Sequence, residues 1–205
     1  MYSYLPSFVI AFHGCDQNVK EFLLSGKTPR PSRNTYDWLG SGFYCWEQNE
    51  QRAMDFAKEA CTRRYLTVGV INKPAVIGLV VDLGRCLNLL DSKYLQLVKG
   101  SYDLVSKLYR YENLELPLNS GGHPDSPKRD LDCLVIENLH AIVKEAKDKP
   151  FDTVRGMFPE GNPLYDGAGF RDKNHIQICI RNQNCIKAIF DPRVYTSDSF
   201  SWLDK

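Results

Sequence analysis

Apolar residues in this chain follow two rhythms, one of strands and one of helices. Residues 8–12 are continuously apolar and read as a buried strand ending at His13, where Gly14 lets the backbone leave it. Residues 43–46 form a second, aromatic strand opened by Gly40 and Gly42, and residues 75–83, β-branched and preceded by Pro74, read as a central one. In residues 174–182, Ile176, Ile178 and Ile180 alternate with His175, Gln177 and Cys179, so one face is core and the other polar. A short turn at 182–184 and a returning strand at 185–190 follow.

The helical rhythm starts at Asp16, an N-cap residue for a helix carrying Val19, Phe22 and Leu23 inward and closed by Gly26. Ala53, Phe56, Ala57 and Ala60 mark a second helix. From Asp91 a third carries Leu95, Val98, Tyr102, Val105 and Tyr109, and residues 130–147 form a fourth on Leu134, Val135, Leu139, Ile142 and Val143. Three stretches are loops: 27–37 with its prolines, 119–124, and the glycine-rich segment 158–172, which reads as mobile.

With 205 residues, 43% hydrophobic and 25% charged, the chain fits one domain spanning 1–205. A net charge of +1 removes any blanket attraction to nucleic acid or anionic lipid. Seven cysteines without a Cys-x-x-Cys pair point to free thiols in a reducing compartment. Residues 1–10 lack the basic segment of a signal peptide, and no stretch approaches the roughly 20 apolar residues of a membrane span, so a cytoplasmic location is expected. His123 and His140 have no partners at ligand spacing, and no metal site is expected.

The order of the pieces carries more than any one of them. Strand, His13-Gly14, short helix, polar loop, Gly40-Ser41-Gly42-Phe43-Tyr44 and a helix with Ala53 nine residues on resembles the NAD-binding core of the ADP-ribosyltransferase superfamily, in the branch of poly(ADP-ribose) polymerases and diphtheria toxin. The resemblance implies an α+β fold, two packed, mainly antiparallel sheets with flanking helices around an NAD cleft. It places His13 on the adenosine-side ribose, the Gly14 backbone on the nicotinamide amide and the Tyr44 ring against nicotinamide. Ser32 and Asn34 border the dinucleotide, and Phe56 packs under the site. Arg33, Arg155 and Arg171 are candidates for phosphate, with solvated side chains as the plain alternative.

The strand at 174–182 matches the family's catalytic strand, which carries a glutamate that grips the nicotinamide ribose. Here that position falls on His175 or Gln177, both neutral, and Glu160 or Asp166 of the preceding loop is left to supply the charge. The resemblance therefore implies single transfer of ADP-ribose from NAD to a nucleic-acid or protein acceptor, in a toxin with a possible antitoxin or in phage defence. NAD hydrolysis and an NAD- or ADP-ribose-binding pseudoenzyme are the alternatives, with a thiol hydrolase on Cys15 a remote fourth. Loop 158–172 is expected to choose the acceptor.

Overall fold

The computed structural model describes residues 8–120 and 128–192, which leaves His123 outside the described residues. β1 (Phe8–Asp16) and β3 (Pro74–Asp82) pair antiparallel along their whole length, from Phe8↔Asp82 to Asp16↔Pro74. β2 (Phe43–Glu47) lies between β1 and β8 (His175–Ile180). β8 pairs on its other side with β7 (Thr153–Phe158), which β4 (Cys86–Asn88) joins in parallel, and β9 (Ile186–Phe190) closes the far edge beside β3. The order is β4-β7-β8-β2-β1-β3-β9. The fold is thus α+β, with one mixed seven-stranded sheet where two sheets are expected.

That sheet curls so that one face packs against itself. Ala11, Cys15, Ile77 and Leu79 from β1 and β3 share a buried cluster with Phe43, Cys45, Ile178 and Ile180 from β2 and β8. Hydrogen bonding runs unbroken through the bend because β1 and β2 still pair there, at Ala11↔Glu47 and Phe12↔Trp46 only. The return strand also requires the curl. β8 and β9 lie four strand spacings apart, roughly 19 Å across a flat sheet, and the five residues 181–185 between them include a 3-10 turn. Such a link reaches roughly 15 Å.

Helices cover both faces. α1 (Gln17–Leu24) starts at Asp16, whose carboxylate accepts from the Asn18 N–H at 3.0 Å and from Asn72 and Lys73 N–H at 2.8 and 2.9 Å. Those backbone bonds, that from Lys73 foremost, hold the Asp16 pKa below the usual carboxylate range. Leu23 anchors the helix in the curled core, a burial worth about 1.5–3 kcal/mol. Val19 and Phe22, expected inward, are exposed. α2 (Glu50–Thr62), capped by Asn49, crosses the opposite face over Trp46 and Val76. α3 (Ser92–Tyr111) and α4 (Asp130–Glu145) build a second core with β4 and β7 around Leu87, Ile136, Leu139 and Val154. A two-stranded ribbon, β5 (Asn119–Ser120) with β6 (Lys128–Arg129), leads into α4. Among the described residues no helix is long and apolar enough to cross a membrane.

Candidate functional site

The sheet parts just beyond its bend. After Phe12↔Trp46 the strands β1 and β2 stop pairing, and the ring of His13 fills the gap, its Nδ1 2.7 Å from the Tyr44 carbonyl oxygen and its plane 4.4 Å from the Phe43 ring, centre to centre. A carbonyl only accepts, so Nδ1 carries the proton and Nε2 keeps its lone pair. Burial lowers the His13 pKa, which the bond to Tyr44 only partly offsets, so the ring stays neutral at physiological pH. A cleft of about 380 Å³ opens beside it, walled by Phe43 and Tyr44, by Val19 and Phe22 of α1, and by the loop residues Arg30 and Ser32. The size falls in the range of small-molecule sites. Ser32 is fixed against Gly42 by two reciprocal backbone bonds, 2.7 and 3.0 Å long.

Of the six residues expected to hold a dinucleotide, His13, Ser32 and Tyr44 line this cleft and three do not. Gly14 stays within β1, which runs on to Asp16, and a Cβ there would fall 2.0 Å from the Ala53 carbonyl oxygen; the glycine admits α2. Asn34 builds its own turn, donating through Nδ2 to Ser32 Oγ at 3.0 Å and through its N–H to Asp37 at 3.0 Å. Phe56 packs on Trp46, with ring centres 4.9 Å apart, under α2. The Tyr44 hydroxyl donates to the Gly40 carbonyl at 2.7 Å and accepts from the Leu39 N–H at 3.0 Å, and burial raises its pKa well above the usual phenol value. Its ring packs with Leu39 and Cys179 on the far face of the sheet, so Tyr44 meets the cleft through its backbone, where its carbonyl holds His13, and does not offer the stacking face expected of it.

The expected catalytic residues stand on the other side of the sheet. Ile178 and Ile180 are committed to the curled core, so strand alternation sends His175 and Gln177 to the opposite face, Gln177 directly across from Trp46. Glu160 joins them: its Oε1 accepts from Arg52 Nη2 at 2.7 Å and its Oε2 lies 3.6 Å from His175 Nδ1. These three are brought together, but not to His13; the β8 residue on the His13 face at that end is Ile176. The loop is also more ordered than its glycines suggest. Residues 160–173 form an arm closed by bonds from Lys173 N to Glu160 O, Asp172 N to Asn162 O and Leu164 N to Phe170 O, with Leu164, Tyr165 and Phe170 exposed. Asp166 is exposed near its tip.

Two arginines considered for phosphate are already engaged. Arg155 donates to both oxygens of Glu47, at 2.6 and 2.7 Å, and Arg171 Nη1 donates to the Gly161 carbonyl at 2.7 Å. Sequence reasoning missed Arg30 and Phe43 in the cleft and Arg52 and Trp46 beneath α2. The only signal for Arg30 was its place between Pro29 and Pro31 in a loop that has to border the cleft.

Burial of three histidine rings makes stability fall in acid: that of His13, whose pKa it lowers as above, and two more. Burial pushes His175 and His140 down to about 4. Both are neutral in the fold but take a proton near 6.5 when unfolded, so the stability present above that value is lost as pH falls from there to about 4. Glu160, whose pKa burial raises, works the other way at the acid end. Urea unfolding at about pH 7.5 and 5.5 should give a loss of roughly 2–4 kcal/mol, and His175→Gln should remove about a third of it. A pH-independent midpoint would mean that these rings are not neutral in the fold.

The chain is similar to an uncharacterised protein of Methanocaldococcus jannaschii, 26% identical over 196 residues that cover 87% of this chain and 84% of the relative. No protein-family model and no solved structure matches.

Proposed function

We propose that the protein binds NAD in the His13 cleft and transfers single ADP-ribose units from it to a macromolecular acceptor, as a member of the ADP-ribosyltransferase superfamily. What carries the reading is the parting of β1 and β2 at His13, whose Nε2 is left as an acceptor beside the cleft. A ribose hydroxyl is the donor that suits it. Arg30 supplies positive charge for phosphate, and Phe22 and Phe43 supply apolar surface for a base. In the transfer, the bond between ribose C1′ and the nicotinamide nitrogen breaks, with both electrons leaving on nicotinamide. The acceptor's nucleophile then bonds C1′ and gives up its proton.

The cationic ribose of that step is stabilised best by a carboxylate. None lines the cleft among the described residues, which favours slow single transfer over polymer synthesis. The same observation supports a second reading, an NAD- or ADP-ribose-binding protein without transferase activity. The acceptor, whether nucleic acid or protein, has to reach the cleft from the side of α1 and loop 27–37, because the arm at 160–173 rests on α2 across the sheet. In a toxin, an antitoxin would have to cover the cleft.

Calorimetry with NAD tests the binding step. His13→Ala should weaken NAD about tenfold, the equivalent of one hydrogen bond and its packing. Equal affinity in a folded His13→Ala protein would refute this placement. Release of nicotinamide together with labelling of an acceptor favours transfer, release alone hydrolysis, and tight binding with neither the second reading.

A further inference from the structure

Beneath α2, on the sheet face away from the cleft, several buried polar atoms have no protein partner. They are Trp46 Nε1, Arg52 Nε and Nη1, and His175 Nε2. Trp46, Arg52 and His175 are only 4%, 6% and 6% exposed, so water does not reach these groups from outside. They are neighbours: the Arg52 guanidinium lies 6.0 Å from the Trp46 ring centre, and the His175 ring 6.2 Å. Leaving such groups unpaired is costly. The proton assignment gives the set a definite chemistry. His175 Nδ1 is 2.7 Å from the Lys173 carbonyl and so carries the hydrogen, which makes Nε2 an acceptor. Three N–H donors, two of them cationic, therefore stand beside one acceptor.

One oxyanion is already present, supplied by the chain itself. Glu160 places a carboxylate on Arg52 Nη2, yet it satisfies none of the unpartnered atoms. It comes from the start of the 160–173 arm, whose internal bonds let it move as a unit and whose other end rests on α2 through Lys173 and Glu59, 2.7 Å apart. We propose that Arg52 is the centre of a second ligand site, for inorganic phosphate or a terminal phosphomonoester, which Glu160 blocks from within. The phosphate takes the place of the Glu160 carboxylate as the arm lifts. Its unprotonated oxygens accept from Arg52 and Trp46, and its P–OH donates to His175 Nε2. A planar carboxylate has no proton to give at neutral pH, and neither has a phosphodiester or sulfate, whereas inorganic phosphate keeps one P–OH and a phosphomonoester, with a second pKa of about 6, carries one as its monoanion. The site is separated from the His13 cleft by the sheet and does not depend on NAD binding there.

Calorimetry of the full chain with sodium phosphate, sodium sulfate, a nucleoside 5′-monophosphate and dimethyl phosphate at matched ionic strength tests this. Glu160→Ala, which removes the internal competitor, should strengthen phosphate binding about tenfold over the wild type, and phosphate should be preferred to sulfate and to the diester by about the same factor. In the Glu160→Ala background, Arg52→Lys should abolish binding, and Trp46→Phe, which deletes one N–H and keeps an aromatic ring, should weaken it about fivefold. Binding of the monophosphate but not of free phosphate would assign the site to a phosphomonoester; the reverse would assign it to phosphate alone. No phosphate binding in Glu160→Ala, equal binding of phosphate and sulfate, or binding unchanged by Trp46→Phe would each overturn the proposal. His13→Ala should leave all these affinities as they were, so loss of NAD binding and loss of phosphate binding are read separately.

Discussion

Gly14→Val should leave little folded protein, and Gly14→Ala should cost about 4 kcal/mol or more. The hydrogen on Gly14 faces the Ala53 carbonyl of α2, and a Cβ would stand 2.0 Å from that oxygen and 3.3 Å from the Ala57 methyl. Neither neighbour is a flexible tip that swings aside. Relief requires lifting α2 from β1, which would unpack Ala53, Ala57 and Trp46 together. Gly100→Ala is the control: nothing lies within 4 Å of its Cβ position, and it sits inside α3. There the change should stabilise by about 0.5–1 kcal/mol. Chemical denaturation of both alanine variants measures the contrast. A Gly14→Ala protein within 1 kcal/mol of wild type, roughly the scale of ordinary surface changes, would mean that α2 does not seat on β1 this closely.

The second large effect belongs to Arg155 and Glu47. Their side chains are 17% and 12% exposed, and Arg155 Nη1 also donates to Asn88 at 3.2 Å. Arg155→Ala leaves the Glu47 carboxylate half-buried with no cation, a loss of roughly 3 kcal/mol. Replacing both at once, Arg155→Met with Glu47→Leu, should recover most of it, because the desolvation of two charges disappears with them. A double-mutant cycle by urea unfolding gives the coupling directly. Additive losses would show that the two charges do not depend on each other.

These two sites mark where the sequence was legible and where it was not. The alternation of Ile176, Ile178 and Ile180 located β8 and separated its two faces correctly, and Asp16, Asp91 and the apolar spacing of α3 and α4 located three helices. The strand β7 and the short β4 carried no comparable alternation and went unread. What a strand's period cannot give is the partner of each face. Gln177 and His175 are polar, follow a glycine-rich segment and share a side, yet the curl of the sheet turns that side toward α2 and away from His13. Arg52 and Arg155 read as surface charges because ion pairs 108 residues apart in sequence have no local signature. Gly14 was singled out, but for release of the backbone, when its importance lies in a helix that arrives 39 residues later.

The pairing of β9 with β3 gives the chain a vulnerable interval during its own synthesis. β3 ends at Asp82 and its outer partner starts at Ile186, so at about 5–20 residues per second the ribosome takes roughly 5–20 s to deliver the strand that covers that edge. Until then the nascent chain presents the unpaired backbone of Gly78, Leu79, Val80 and Val81, a β-branched edge of the kind that templates association between molecules. Chains cut short before residue 186 never leave that state. They should aggregate in proportion to their synthesis rate, whereas chains that carry β9 are protected by its five residues.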